Sequence, residues 1–220
     1  MIINKFHCCD YGKDVLLVNN RKLFVGLIIS LLLAFVFCWL TFSNEKVFWY
    51  FYSFTTLFLT AGAFYFSKIE DQLRTFSYLF WGIVYGVATY LLFVLGYQLL
   101  DFLPSKATKE VSNFLGTFAP TALWHYILLF FIIIPGEELF WRGFIQVALK
   151  NWLSPTNAII ISSILYGAVF IASGFYIGVL AAIIMGVIFG LLYEKKKSMP
   201  LNIVAHIVLL LLLFLVLPII

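Results

Sequence analysis

A chain of 220 residues that is 64% hydrophobic and only 11% charged cannot hide its apolar side chains inside a soluble fold. Most of that surface must face lipid or other buried helices, so the sequence reads as an all-α, multispanning membrane protein. The net charge of +4 is met by basic residues in short loops and calls for no nucleic-acid partner.

Residues 1–22 are expected to form a cytoplasmic segment. Cys8 and Cys9 lie there and Cys38 lies in an apolar run, a spacing that makes no disulfide framework and reads as small packing residues with free thiols. No small-residue cleavage site follows the first apolar run, which is read as a retained span. With roughly 20 residues needed to cross the hydrocarbon core, about seven segments qualify: Leu23 to Phe42, Val47 to Ser67, Phe76 to Leu100, Ala122 to Leu149, Asn157 to Tyr176, Ile177 to Tyr193 and Leu201 to Ile220. Only "SGFY", Ser173 to Tyr176, divides the fifth from the sixth. The polar stretch "DFLPSKATKEVSNF" between the third and fourth reads as an outer loop with a short interfacial helix.

Basic residues set the orientation. With the N-terminus inside, the inner loops hold Lys5, Lys13, Arg21, Lys22, Lys68, Arg74, Lys150, Lys195, Lys196 and Lys197, and the outer loops keep Lys46, Lys106 and Lys109. That asymmetry predicts N-in, and the run "EKKK" reads as a stop beside anionic headgroups.

The fourth span carries the chemistry, in "IIIPGEELFWRGF" from Ile132 to Phe144. A charge at bilayer depth costs at least about 2.5 kcal/mol, so Glu137, Glu138 and Arg142 together mark a functional site more readily than a staple between helices. Glu138 and Arg142 are four apart, in the order that favours an ion pair on a helix. Glu137 is turned about 100° away. It is left without that partner, and is suited to act as a general base. Pro135-Gly136 should bend or break the helix just upstream. In the sixth span Gly186 and Gly190 form a small-xxx-small pair, read as close helix packing within the chain.

"EELFWRG" resembles the first signature of the CAAX protease and bacteriocin-processing family, also called the CPBP or Abi family: two glutamates, three residues, then arginine, often followed by glycine. "AIIISSILYGAVF" resembles its second segment, which ends in an aromatic, three residues and histidine. "GVIFGLLYEKKKSMPLNIVAH" resembles the approach to its third, a histidine followed four residues later by asparagine or aspartate. The resemblance covers the chain from Pro135 onward, which divides it into residues 1–22, N-terminal transmembrane helices 23–120 and a CPBP-like core 121–220. It implies a helix bundle around a cavity that opens toward the cytoplasm, in which some relatives cleave the C-terminal tripeptide of prenylated proteins and others act as immunity proteins or non-catalytic partners.

Carried over residue by residue, the resemblance makes Glu137 the water-activating glutamate, Glu138 and Arg142 its orienting pair, and His206 the histidine of the third segment. The second histidine should stand where the chain has Phe170, and the asparagine where it has Leu210. His125 precedes Glu137 by twelve residues, about 18 Å along a helix, and is read as an interfacial residue beside Trp124 and Tyr126. Asn202 is read as a cap of the seventh helix after Pro200, and as the one candidate for a displaced amide donor. Older descriptions of the family place a metal at these residues; a catalytic zinc needs about three protein ligands, and no cofactor or zinc is expected.

Three functions compete. The chain could be an intramembrane endopeptidase acting from the cytoplasmic side on a peptide or lipidated protein, with Glu137 as base. It could be a binding protein with weak or lost proteolysis, gripping a peptide or another membrane protein as an immunity or scaffold protein. A transporter accounts only for the buried charges, since paired broken helices and a repeat are lacking. Phe170 and Leu210 favour the second. Membrane lipids are the expected surroundings, in a bacterial plasma membrane.

Overall fold

A computed structural model describes residues 20–67, 71–100 and 107–216. His7, Cys8, Cys9, Lys5, Lys13, Lys68 and Lys106, with most of the 1–22 segment, lie outside the described residues. Among those described, seven helices are long and apolar enough to cross a membrane. They are α1 (Asn20–Phe42), α2 (Phe48–Phe66), α3 (Thr75–Leu100), α5 (Leu123–Leu149), α6 (Pro155–Val169), α7 (Tyr176–Lys196) and α8 (Met199–Leu211). The shorter α4 (Ala107–Phe118) lies between α3 and α5 and has no buried residue, as the polar outer stretch predicts.

The helices form because in hydrocarbon each backbone N–H and C=O must find its partner within the segment. Their outward faces are apolar: Phe24, Trp39, Phe76, Leu95 and Leu180 are all exposed. Inward, α3 packs on α8, α6 on α7, and α1 on α2, while α5 is held between α2, α6 and α8. Small residues bring the pairs together. A Cβ on Gly186 would lie 2.8 Å from Ser163 Cβ, and one on Gly190 would lie 2.9 Å from Ile159 Cγ2, so both glycines serve contact between α6 and α7 within the chain. The division after α6 is a 3₁₀ turn, Phe170–Ser173, closed by Gly174 at φ +70°, where a side chain would be strained.

Pro135 and Gly136 do not break α5. The helix continues through them, with wide π turns at Leu129–Ile133 and Leu139–Gln146 flanking the regular turn Ile134–Glu138. The register widens just before the proline: Ile134 N–H reaches Leu129 O, five residues back. Gly136 is instead where α2 comes closest, since a Cβ there would sit 2.9 Å from Thr60 Oγ1.

At one end of the bundle, Phe24 at the start of α1 meets Trp152 of the α5–α6 turn, with ring centroids 5.7 Å apart. Glu194 pairs there with Lys150 at 3.0 Å and Lys197 at 2.9 Å. Ser198 Oγ donates to Asp71 Oδ1 at 2.7 Å. Thus "EKKK" is more than a stop beside headgroups: Lys197 and Lys150 close the bundle, and Lys196 lies 4.8 Å from the centre of the Trp81 ring. The opposite end carries the α1–α2 turn, α4 and the α6–α7 turn. His125 sits at that end, as expected. It stacks on Trp49 at 4.6 Å, and its Nδ1 accepts from the N–H groups of Thr121 and Ala122, capping α5.

Candidate active site

The middle of α5 presents its charges in two directions, as the spacing of Glu137 and Glu138 predicts. Glu138 faces α8 and is fully buried. Its Oε1 lies 2.9 Å from His206 Nδ1 and 3.2 Å from Arg142 Nη1, one turn along α5. Its Oε2 accepts from Asn202 Nδ2 at 3.2 Å. An ionised carboxylate only accepts, so His206 donates from Nδ1 and keeps Nε2 as its other face. Asn202 also donates to Phe189 O at 2.9 Å. It therefore does not cap α8: the helix starts at Ser198, without a side-chain cap, and Asn202 lies one turn inside it.

The Arg142 guanidinium lies 4.7 Å from the centre of the Tyr166 ring and 5.7 Å from that of Phe189. These contacts suit a planar cation held out of water. Neither its Nη1 nor its Nη2 has a hydrogen-bond partner among the described residues, so the charge of Glu138 and the two rings are what hold it.

Glu137 faces the other way, toward α2 and α6. Tyr52 Oη donates to its Oε1 and Tyr166 Oη to its Oε2, the latter at 3.1 Å. The expectation of a carboxylate without partners is thus corrected: both oxygens are occupied by phenol donors. Nothing in the spacing of α2 marks Tyr52. Tyr166 was findable, since it is four residues before Phe170 on the same face of α6.

Glu137, Tyr52, Tyr166 and His206 line one end of a cavity of about 660 Å³. Its walls are otherwise almost wholly apolar and come from α1 to α5, α7 and α8. Phe170 and Leu210 are among them. Phe170 also borders a small second void beside Glu137 and Cys38, so the ring stands between the two spaces. Phe42, Phe48, Phe114, Phe118 and Phe175 surround the far end, where α4 lies across the mouth. The cavity reaches the α4 end of the bundle and not the lysine-bearing end. An inside N-terminus and a cytoplasmic opening therefore cannot both hold.

Of the four residues singled out in the sequence, Glu138, Arg142 and His206 are joined by their charges, and Glu137 stands beside them with partners of its own and shares the cavity with His206. Residues 119–212 match the family model described as Type II CAAX prenyl endopeptidase Rce1-like. Over these residues the chain carries a domain similar to that of the CAAX-protease (CPBP) family. The match begins upstream of Pro135, where the quoted motifs start, and takes in the whole of α5 to α8. No curated protein and no solved structure matches the chain. The CPBP-like domain thus holds its two glutamates in separate hydrogen-bond shells. Glu138 is fixed by an imidazole, a guanidinium and an amide. Glu137 is fixed by two phenols and borders the cavity.

Proposed function

We propose that this CPBP-like membrane protein has weak or lost proteolytic activity and uses its cavity to bind a peptide or a protein partner, in the manner of an immunity or scaffold protein. The observation that carries the reading is the state of Glu137. The group that would deprotonate water accepts from Tyr52 and Tyr166, and Phe170 and Leu210 line the cavity where the family would supply a histidine and an amide. General-base assistance contributes ~10² to 10⁴ in rate, and one oxyanion donor ~10² to 10³. Losing one of each removes most of a peptidase's acceleration, even though such losses do not simply add. The proposal includes no zinc. Among the described residues no three His, Cys, Asp or Glu side chains converge on one point, and Glu138 already shares its Oε1 with a guanidinium.

A second reading, an active endopeptidase with Glu137 as base, draws support from His206. Its Nδ1 is held by Glu138 and it lines the cavity, the arrangement of an imidazole oriented by a carboxylate. We place the protein in a bacterial plasma membrane with its N-terminus inside, on the lysine asymmetry of its loops. The cavity mouth then faces outward, and the partner is met from that side.

Turnover separates the two readings. Purified protein in liposomes is given a prenylated C-terminal peptide or a leader peptide, and product is counted per protein molecule. The binding reading predicts no more product from the wild type than from Glu137→Ala. Many turnovers by the wild type, abolished in Glu137→Ala, would establish the peptidase.

A further inference from the structure

α4 lies across the cavity mouth and has one apolar face. Val111, Phe114, Leu115 and Phe118 recur at the i, i+3, i+4, i+7 spacing of a helix stripe, and all four line the cavity. Lys109, Glu110, Asn113 and Thr117 point the other way and are exposed. Phe114 stacks on Phe175, just ahead of α7, with ring centroids 4.4 Å apart. Phe118 meets Phe48, at the start of α2, at 4.8 Å and Phe42, at the end of α1, at 5.5 Å. Yet no residue of α4 is buried. A helix of 12 residues is marginal by itself, so these ring contacts hold it, and it is among the elements that open at least cost. Beneath it runs the cavity of about 660 Å³, which its side chains do not fill.

Resting on the binding reading above, we infer that α4 is a built-in competitor for the cavity mouth, and that the partner is an amphipathic helical segment that displaces it. That segment carries large apolar side chains at the same i, i+3, i+4, i+7 spacing and takes the seat α4 leaves. An amphipathic helix laid by its apolar face into an apolar groove is a recurrent mode of peptide binding. Here a segment of the chain itself occupies the groove, and it shows what the seat offers: the rings of Phe42, Phe48 and Phe175. α4 has the advantage of its tether, which keeps its effective concentration at the mouth high. The partner offsets that advantage with side chains that reach into the volume below and leave water there. Charges on the seated face are excluded, because apolar walls would leave them unpaired. No bond is made or broken.

The test uses the full chain in phosphatidylcholine nanodiscs and a synthetic peptide helix with phenylalanine and leucine at that spacing, one leucine being photoactivatable. A scrambled peptide of the same composition serves for comparison. Crosslinks located by mass spectrometry are expected around Phe42, Phe48 and Phe175, at least about tenfold above the scrambled peptide, the margin that buried anchors give. Phe114→Ser removes the ring that stacks on Phe175. A competitor so weakened should admit about threefold more peptide or better, whereas a fixed wall of the site would admit less. Phe114→Cys with Phe175→Cys, in a background without Cys8 and Cys9, is joined by a short thiol-reactive crosslinker that reduction releases. Joining is expected to cut labelling at least about tenfold, because the open state is no longer populated, and reduction to restore it. Equal labelling by the two peptides on the wild type, which needs no variant to fold, would overturn the inference. So would a fall in Phe114→Ser, or labelling that the crosslink leaves unchanged. Turnover of a prenylated peptide by the wild type would refute the binding reading alone, and the crosslink and Phe114→Ser would still decide whether α4 yields its seat.

Discussion

Removing Arg142 leaves Glu138 buried against only His206 and Asn202. A buried carboxylate that loses its cation costs about 3–5 kcal/mol, so Arg142→Ala is expected to lower the unfolding temperature in detergent sharply and reduce membrane yield. Unchanged yield and stability would refute the ion pair at 3.2 Å. Arg142→Lys should rescue little, because a lysine cannot lie flat over the Tyr166 and Phe189 rings. Tyr166→Phe removes one of the two phenol donors to Glu137 and should cost about 1–3 kcal/mol, measured the same way; no change would mean that the hydroxyl does not hold Glu137. At this scale the sequence spoke clearly where partners are neighbours on one helix. Glu138 and Arg142 could be paired from their spacing alone. The phenols could not, because Tyr52 reaches Glu137 from a different helix, 85 positions away. The position of Asn202 after Pro200 fits both a cap and a displaced amide donor, and only the packing of α8 on α5 turns it toward Glu138.

Helices are the scale at which the sequence was most legible. Each of the seven spans was marked by a run of about 20 apolar residues, and Gly186 and Gly190 by their small-residue spacing. Gly186→Leu should therefore force α6 from α7, since even a Cβ would meet Ser163 at 2.8 Å; the expected loss is about 1–3 kcal/mol, seen as a lower unfolding temperature. An unchanged temperature would show that the two helices are not in close contact there. The continuity of α5 was less legible. Proline and glycine together signal a break in water, where a freed carbonyl can be hydrated. Inside the bundle α5 stays helical through both residues, with π turns on either side of the turn that carries the two glutamates.

For the molecule as a whole, the sequence located the polar cluster but not the side from which it is reached. The family resemblance implies a cytoplasmic opening and the lysines imply an inside N-terminus, yet the cavity lies at the end opposite Lys150 and Lys197. Single cysteines at Lys46 and Lys195, both exposed, in a background without Cys8 and Cys9, decide the matter. A membrane-impermeant thiol reagent added to whole cells should label position 46 and spare 195; the reverse would turn the cavity inward. Buried Cys38 should remain silent in both cases. The central claim is that this chain keeps the frame of a hydrolytic site without two groups needed to run it. Its most direct test is the turnover of a prenylated peptide by the wild type beside a Phe170→His, Leu210→Asn double variant in the same liposomes. The account predicts no turnover by the wild type and a rise of at least about tenfold over background in the double variant. A wild type that turns over repeatedly, and gains nothing from the two substitutions, would contradict it.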